Sequence, residues 1–123
     1  MTVLIDFHTH STASDGALDP ITLVQRAADR GIDAFAITDH DTVAGYRLAR
    51  SRFVGGEGVP ALVPGVELSC RWSGTTIHVV GLGMDIDHPA LVAGLCRLDK
   101  ARLERGGKIA ERLARRGMPG ALD

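Results

Sequence analysis

The sequence lacks the short motifs that identify several large enzyme classes. Its 123 residues contain no Gly-x-Ser-x-Gly nucleophile pattern, and neither Cys70 nor Cys96 has a neighbouring histidine. There is also no Walker phosphate loop and no dinucleotide fingerprint. These absences argue against a covalent serine or cysteine mechanism and against nucleotide binding through either of those loops.

Cysteines, long apolar runs and excess charge are also scarce. The two cysteines follow no metal or redox spacing, so we expect free thiols in a reducing cytoplasm. No basic-then-apolar leader precedes the first predicted strand, and no apolar run approaches membrane length. We therefore expect a cytoplasmic protein. The formal net charge of −1 argues against a uniformly polycationic nucleic-acid binder.

What is present is the composition of an ordinary globular domain, with 45% hydrophobic and 24% charged residues. We expect one domain over residues 1–123, with a basic helical segment at 87–117. Eight basic residues stand against three acids between Arg97 and Arg116. Such a segment is more often a solvated face than a nucleic-acid site.

The chain alternates between strand-like and helix-like patterns. Predicted elements, in the order strand, helix, strand, helix, strand, strand, helix, cover 3–7, 19–31, 34–38, 42–53, 61–68, 75–82 and 87–117. Asp19-Pro20 is a typical helix start and Gly31 a typical stop. We expect Pro64-Gly65 to interrupt the third strand. Gly106-Gly107 should break or bend the last helix, since each glycine costs about 1 kcal/mol there. The alternation predicts an α/β fold with mostly parallel strands.

Ionisable side chains stand where the predicted strands end. His8, His40 and Glu67 each occupy such a position, and His10 and Asp15 follow the first of them. Sites in α/β folds are built at the carboxyl ends of strands. Because residues two apart on a strand point to the same side, both imidazoles of His8-Thr9-His10 can reach one ion.

Each of these residues alone has a simpler explanation. A bare His-x-His is usually accidental, Glu67 could pair with an arginine, and His78 could be a satisfied core histidine. Asp41 or Thr42 can cap the second helix. Their concentration in one small domain favours a shared metal site instead. Mixed imidazole and carboxylate ligands suit zinc, manganese or iron, and two adjacent ions can hold a hydroxide and stabilise the leaving oxygen of a phosphate ester.

These motifs resemble the polymerase and histidinol phosphatase (PHP) family. The similar segments are DFHTHS at 6–11, SDG at 14–16, ITDHDT at 37–42, PGVELS at 64–69 and IHVVG at 77–81. The resemblance implies the N-terminal half of a distorted (β/α)7 TIM-like barrel with a trinuclear site. The chain looks most like the stand-alone phosphoesterases that act on 3′,5′-nucleoside bisphosphates and short RNA 5′ ends. The expected reaction is hydrolysis of a nucleotide phosphate monoester by a metal-bound hydroxide.

The resemblance also implies a set of metal ligands. His8, His10 and Glu67 would hold one ion, Glu67 would bridge to a second ion held by His78, and Asp15 and His40 would hold a third. The cofactors would be two to three divalent ions of manganese, iron or zinc. No ligand role carries over to Asp39 or Asp41. We interpret Asp85, Asp87 and His88 as helix-start residues.

The family's later ligands and its phosphate-gripping arginine have no counterpart in this sequence. We therefore expect weak activity from these residues alone, and a possible homo-oligomer through the open side of the barrel.

Two other functions stay open on the sequence. An amidohydrolase-like enzyme also begins with His-x-His, but it normally uses a carbamylated lysine or a mid-barrel glutamate, and Lys100 and Lys108 both lie in the late basic segment. The third alternative is a non-catalytic half-barrel that binds metal weakly or presents its basic helix to a partner.

Overall fold

The computed structural model describes residues 2–122, which form two compact units. The first unit ends at Asp87 and the second begins at His88. The first contains strands β1 (Ile5–Thr9), β2 (Ala34–Ile37), β3 (Ala61–Trp72) and β4 (Thr75–Leu82), with helices α1 (Pro20–Asp29) and α2 (Ala44–Arg52). The second contains the helix α3 (Pro89–Arg115).

The strands form one sheet in the order β1-β2-β3-β4. The first three strands are parallel, and β4 pairs with β3 in the antiparallel direction. The predicted fold class is confirmed: the curled, mostly parallel sheet is the N-terminal half of a TIM-like barrel.

The core of the first unit lies between β2 and the two helices. Its buried members are Val24 and Ala27 of α1, Phe35 and Ile37 of β2, and Ala49 of α2. Val24 and Ala27 share one face of α1 because residues three apart are neighbours on a helix. This packing holds the helices on one face of the sheet and leaves the strand ends free to carry a site.

The predicted signals for α1 are confirmed. Asp19 accepts hydrogen bonds from the amides of Ile21 and Thr22, each at 3.0 Å, and Pro20 is the first helical residue. Gly31 follows the last turn with φ of +70°, a conformation that favours glycine.

The interruption predicted in the third strand is wrong. β3 runs from Ala61 to Trp72 through Pro64-Gly65. The first pair between β3 and β4 joins Gly65 to Leu82, so Pro64 lies just before this ladder. The Pro64 carbonyl still accepts a hydrogen bond from the Gly83 amide at 2.8 Å. The proline therefore removes no amide from that ladder.

The break predicted at Gly106-Gly107 is also wrong, because α3 continues through both glycines as one 27-residue helix. A cost of about 1 kcal/mol for each glycine does not break a helix that has more than four turns before these residues and about two turns after them. The helix ends where Gly117 adopts φ of +84°. Within residues 2–122, no helix combines the length and hydrophobicity needed to cross a membrane.

Candidate metal centre

Strand β3 continues past the end of β2, and this brings its residue Glu67 beside His40. Glu67 was predicted at the end of the third strand, but it lies in the middle of β3 because that strand extends to Trp72. The Glu67 amide donates to the Asp39 carbonyl at 3.1 Å, and the Asp41 amide donates to the Glu67 carbonyl at 3.0 Å. His40 and Glu67 thus form a parallel bridge just beyond β2. Because β1 runs parallel to β2, its last residues reach the same edge of the sheet.

Glu67 lies at the middle of the cluster and its side chain is only 9% exposed. One carboxylate oxygen, Oε2, lies 2.9 Å from His8 Nε2 and 2.9 Å from His10 Nε2. His40 Nε2 lies 4.0 Å from the same oxygen. Three imidazoles therefore converge on one buried carboxylate.

Asp15 closes the other side of the cluster. Its two oxygens lie 3.1 Å from His10 Nδ1 and 3.6 Å from His40 Nε2. The Asp15 side chain is 67% exposed, whereas that of His10 is 22% exposed. Asp15 reaches the histidines because the loop after β1 turns back on itself: the Gly16 amide donates to the Ser11 carbonyl at 2.8 Å.

The antiparallel strand β4 adds His78. Register places Ser69 opposite His78 and Glu67 opposite Val80, so His78 lies diagonally from Glu67. Its Nδ1 is 3.9 Å from Glu67 Oε1. All six side chains predicted from the sequence are thereby brought together as three overlapping groups: His8, His10 and Glu67; His10, Asp15 and His40; and His40, Glu67 and His78.

The histidines lower the pKa of both carboxyls. Burial raises the pKa of Glu67, but the hydrogen bond with His8 and the charges of the three neighbouring imidazoles bring it below the ordinary 4.5. Desolvation likewise raises the pKa of Asp15, but the charges of His40 and His10 lower it by more. The net result is a pKa below the ordinary 3.8. Both side chains are therefore carboxylates at neutral pH, the form that binds cations.

The donor set fits divalent ions. His10 Nδ1 is buried and makes no hydrogen bond of acceptable geometry, although Asp15 Oδ1 is 3.1 Å away. The unsatisfied buried nitrogen, together with imidazole and carboxylate donors that converge on one place, fits a divalent cation. Imidazole with carboxylate is a donor combination suited to zinc, manganese and iron.

Residues that we interpreted as helix-start residues lie outside the three groups. His88 is the N-cap of α3 and accepts from the Ala90 amide at 3.2 Å. Asp87 pairs with Arg47 at 2.6 Å, and Asp85 accepts from the Asp87 amide at 3.0 Å. Both cysteines are free.

The two acids beside His40 have roles that local sequence reasoning missed. Asp41 was predicted as a possible helix cap, but it accepts a hydrogen bond from the Ser69 amide of β3 at 2.7 Å. Thr42 Oγ1 accepts from the Ala44 amide at 3.2 Å, but the N-cap of α2 is Val43, so neither Asp41 nor Thr42 is the predicted cap. Asp39 is buried and binds the loop after β1. Their partners are distant in sequence, so only unusual acid density around His40 could have drawn attention to them.

Comparison with known proteins now identifies the class. The family model of the PHP domain matches residues 6–85. The chain therefore belongs to the PHP-domain family.

Two bacterial proteins are similar to this chain over nearly its whole length. The 5′-3′ exoribonuclease Rnm of Salmonella typhimurium is 46% identical over 98% of this chain and 41% of its own length. The 3′,5′-nucleoside bisphosphate phosphatase of Chromobacterium violaceum is 43% identical over 97% of this chain, again 41% of its own length. The chain thus spans about two fifths of these relatives.

Solved structures agree with the fold. An amidohydrolase from Chromobacterium violaceum, solved with bound sulfate and no metal, superposes with a TM-score of 0.82 at 40% identity and covers 94% of this chain and 40% of its own. A protein from Bifidobacterium adolescentis, assigned to the metal-dependent phosphoesterases, gives a TM-score of 0.81 at 30% identity with the same coverage.

Proposed function

We propose that this chain forms the metal-binding part of a metal-dependent phosphoesterase that hydrolyses phosphate monoesters of nucleotides. The observation that carries the proposal is the convergence of four imidazoles and two carboxylates in three groups that share His10, His40 and Glu67. Overlapping groups suit neighbouring ions, because a shared carboxylate can bridge them.

The family resemblance supports one assignment of ligands, in which His8, His10 and Glu67 would hold one ion, Glu67 and His78 a second, and Asp15 and His40 a third. Each of these sets lies within one of the three groups. Two to three divalent ions of manganese, iron or zinc are the cofactors. When bound, such ions supply Lewis-acid polarisation of the phosphate and lower the pKa of coordinated water.

The remaining chemistry belongs to the chain itself. Glu67 is buried and keeps the imidazoles of His8 and His10 oriented, each at 2.9 Å. His8, Asp15 and His78 are far more exposed, with side-chain exposures of 57%, 67% and 45%. A substrate can therefore approach these three residues from solvent while Glu67 stays shielded.

Nucleotides are the substrate class that the relatives support. Two similar proteins are named as acting on RNA 5′ ends or on 3′,5′-nucleoside bisphosphates. Those relatives continue well beyond the part that matches this chain, so the groups that grip the phosphate are expected there. A cytoplasmic setting, and association of copies through the open side of the half-barrel, belong to the same proposal.

A direct assay tests the function. The chain is purified, freed of metal by chelation and supplied with Mn²⁺, Zn²⁺ or Fe²⁺, and phosphate release from a 3′,5′-nucleoside bisphosphate is compared with release from a 5′-phosphorylated RNA oligonucleotide. We expect metal-dependent release that the chelator abolishes. Metal-dependent cleavage of an amide substrate without phosphate release would favour an amidohydrolase instead, the activity named for one structural relative. Against that alternative, the two lysines of the sequence, Lys100 and Lys108, both lie in α3 and not on a strand of the sheet.

A further inference from the structure

Two buried acids flank His40 without belonging to any of the three ligand groups. Asp39 is 1% exposed and Asp41 is 8% exposed. Burying a carboxylate is costly unless hydrogen bonds or charges compensate it. Both acids accept hydrogen bonds. Those of Asp39 come from the loop after β1, and that of Asp41 comes from β3, on the other side of β2.

Asp39 holds the loop that follows β1. Its Oδ1 accepts from the Ser11 amide at 2.6 Å and from Ser14 Oγ at 2.9 Å, and its Oδ2 accepts from Ser11 Oγ at 2.7 Å. Ser14 Oγ also lies 3.3 Å from Asp15 Oδ1. By accepting from Ser14 Oγ, Asp39 fixes the residue that directly precedes the candidate ligand Asp15.

Two glycines make room for this arrangement. A Cβ at Gly45 of α2 would lie 2.3 Å from Asp39 Oδ2 and 2.8 Å from Ser11 Oγ. A Cβ at Gly16 would lie 2.1 Å from the His10 carbonyl oxygen. Side chains cannot approach this closely, so the loop packs against β1 and α2 only where both positions are glycine.

Asp41 holds the neighbouring strand on the other side. Its Oδ1 accepts from the Ser69 amide at 2.7 Å, two residues beyond Glu67 in β3. The Asp41 backbone has φ of +56°, which is uncommon outside glycine, asparagine and aspartate. The strained conformation directs the carboxylate at β3 while the Asp41 amide bonds the Glu67 carbonyl.

We propose that Asp39 and Asp41 are positioning residues that hold the ligand-bearing segments on either side of His40: Asp39 anchors the loop carrying Asp15, and Asp41 anchors β3 beside Glu67. The inference rests on the proposed metal site, but the anchoring itself is a property of the metal-free chain. Partners that orient metal ligands typically change metal affinity by about 10–100-fold when removed.

Alanine and asparagine variants separate anchoring from charge. Asp39→Ala and Asp41→Ala remove the acceptors, whereas the asparagine variants remove the charge and keep one acceptor oxygen. That oxygen can replace Asp41 Oδ1 beside the Ser69 amide, or Asp39 Oδ1 beside the Ser11 amide and Ser14 Oγ, and the amide group of Asp39→Asn can donate to Ser11 Oγ. Mn²⁺ affinity and stoichiometry are measured by titration on each full chain. We expect roughly 10–100-fold weaker binding in the alanine variants and substantial recovery in the asparagine variants. Asparagine variants as weak as the alanine ones would overturn the proposal, because charge rather than anchoring would then matter.

Hydrogen exchange of the metal-free chain tests the anchoring independently of any metal. Amides of residues 11–16 should exchange faster in Asp39→Ala, and amides around Ser69 should exchange faster in Asp41→Ala. Unchanged exchange at both places would overturn the proposal. Faster exchange in a chain that never binds Mn²⁺ would support the anchoring while refuting the metal site, so the two failures are distinguishable.

Matched variants control for general destabilisation. Asp33→Ala removes a similar bond, from the Leu4 amide at 2.8 Å, at the opposite ends of β1 and β2, and should leave Mn²⁺ affinity unchanged.

If Asp39→Ala does not fold, a milder pair of variants replaces it. Ser14→Ala removes a single bond to Asp39, and Ser14→Thr restores the hydroxyl. We expect weaker Mn²⁺ binding in the first and recovery in the second. Equal Mn²⁺ binding by Ser14→Ala and the unaltered chain would contradict the role of Asp39.

Discussion

At the scale of single residues, Glu67 determines how the cluster is arranged. It accepts contacts from two imidazoles on one oxygen and faces His78 with the other. A carboxylate with this burial and these neighbours needs positive charge close by, which protonated histidines or metal ions can supply. Metal ions supply this charge while the histidines stay neutral, which is the form of imidazole that binds metal.

Removing the paired histidines should remove the metal. We expect His8→Ala with His10→Ala to abolish bound transition metal, because these side chains supply two of the three donors in the group around Glu67. Metal content after purification is measured by elemental analysis. His88→Ala serves as the control, since this exposed histidine caps α3 and belongs to none of the groups. Unchanged metal content in the double variant would refute the assignment.

At the scale of elements, α1 depends on a charged cap. The hydroxyl of Thr22, followed by the backbone amides of Thr22 and Ile21, lowers the pKa of Asp19 below its ordinary 3.8. A carboxyl whose pKa is lower in the folded chain stabilises folding above its unfolded pKa, and this contribution is lost as pH falls through the folded value.

We therefore expect the stability difference between the unaltered chain and Asp19→Asn to shrink as pH falls below about 3.8. The asparagine retains a capping oxygen but does not titrate. Midpoints of urea unfolding for both chains, measured between pH 6 and about pH 3, check this prediction. A difference that is constant over this range would show that the charge of Asp19 contributes nothing to α1.

Replacing glycine by alanine should have opposite effects on stability in α3 and in α2. In α3, a Cβ at Gly107 would meet nothing within 4 Å and one at Gly106 would meet Leu122 at 4.0 Å. We expect Gly106→Ala and Gly107→Ala each to raise helix stability by about 1 kcal/mol. In α2, Gly45→Ala should instead destabilise the chain, because its Cβ would lie 2.3 Å from Asp39 Oδ2. Thermal melting followed by circular dichroism measures both effects, and melting changes of the same sign at the two places would contradict this interpretation.

At the scale of the whole molecule, the sheet has β1 and β4 at its edges. Apolar side chains there are exposed: Ile5 is 56% exposed in β1, and Val80 and Leu82 are 38% and 43% exposed in β4. Val80 and Leu82 share the parity of His78 and so lie on the same face of the sheet. Open edges and apolar patches of this kind promote association.

We expect the purified 123-residue chain to associate in solution, or to be poorly soluble. Val80→Lys with Leu82→Lys should shift it toward monomer, because the added charges oppose burial of that face. Sedimentation velocity over a range of concentrations measures the shift. Val54→Lys, at an 85% exposed residue outside the sheet, should leave association unchanged. A chain that is monomeric at every concentration tested would contradict the prediction.

We also expect the chain by itself to release phosphate far more slowly than a full-length relative. The relatives are more than twice as long as the part that this chain matches, and we expect the groups that complete the ion cluster and grip the phosphate to lie in the remainder. Each 1.4 kcal/mol of lost transition-state stabilisation costs about tenfold in rate. Parallel phosphate-release assays on the chain and on a full-length relative provide the measurement. Equal turnover would show that these 123 residues already contain what the chemistry needs.

The amino-acid sequence by itself determined most of the local structure. Asp19-Pro20 and Gly31 bound α1 as predicted, and β4 covers Thr75–Leu82 as predicted. The six candidate ligands were also identifiable, because four histidines and two carboxylates in or beside predicted strands of one small domain have few structural explanations together. Such features depend on residues within a few positions of one another, where periodicity and capping preferences apply directly.

Tertiary structure alone decided the rest. Asp39 and Ser11 are 28 residues apart, as are Asp41 and Ser69, so no local pattern could pair them. The antiparallel register of β3 and β4 determines that His78 comes within 3.9 Å of Glu67. The unbroken course of β3 through Pro64 likewise depends on where the neighbouring strand β4 ends, at Leu82 opposite Gly65. Hydrogen bonds and contacts between distant segments exist only once the strands have paired. The geometry of the site is therefore determined by the tertiary structure and not by local sequence.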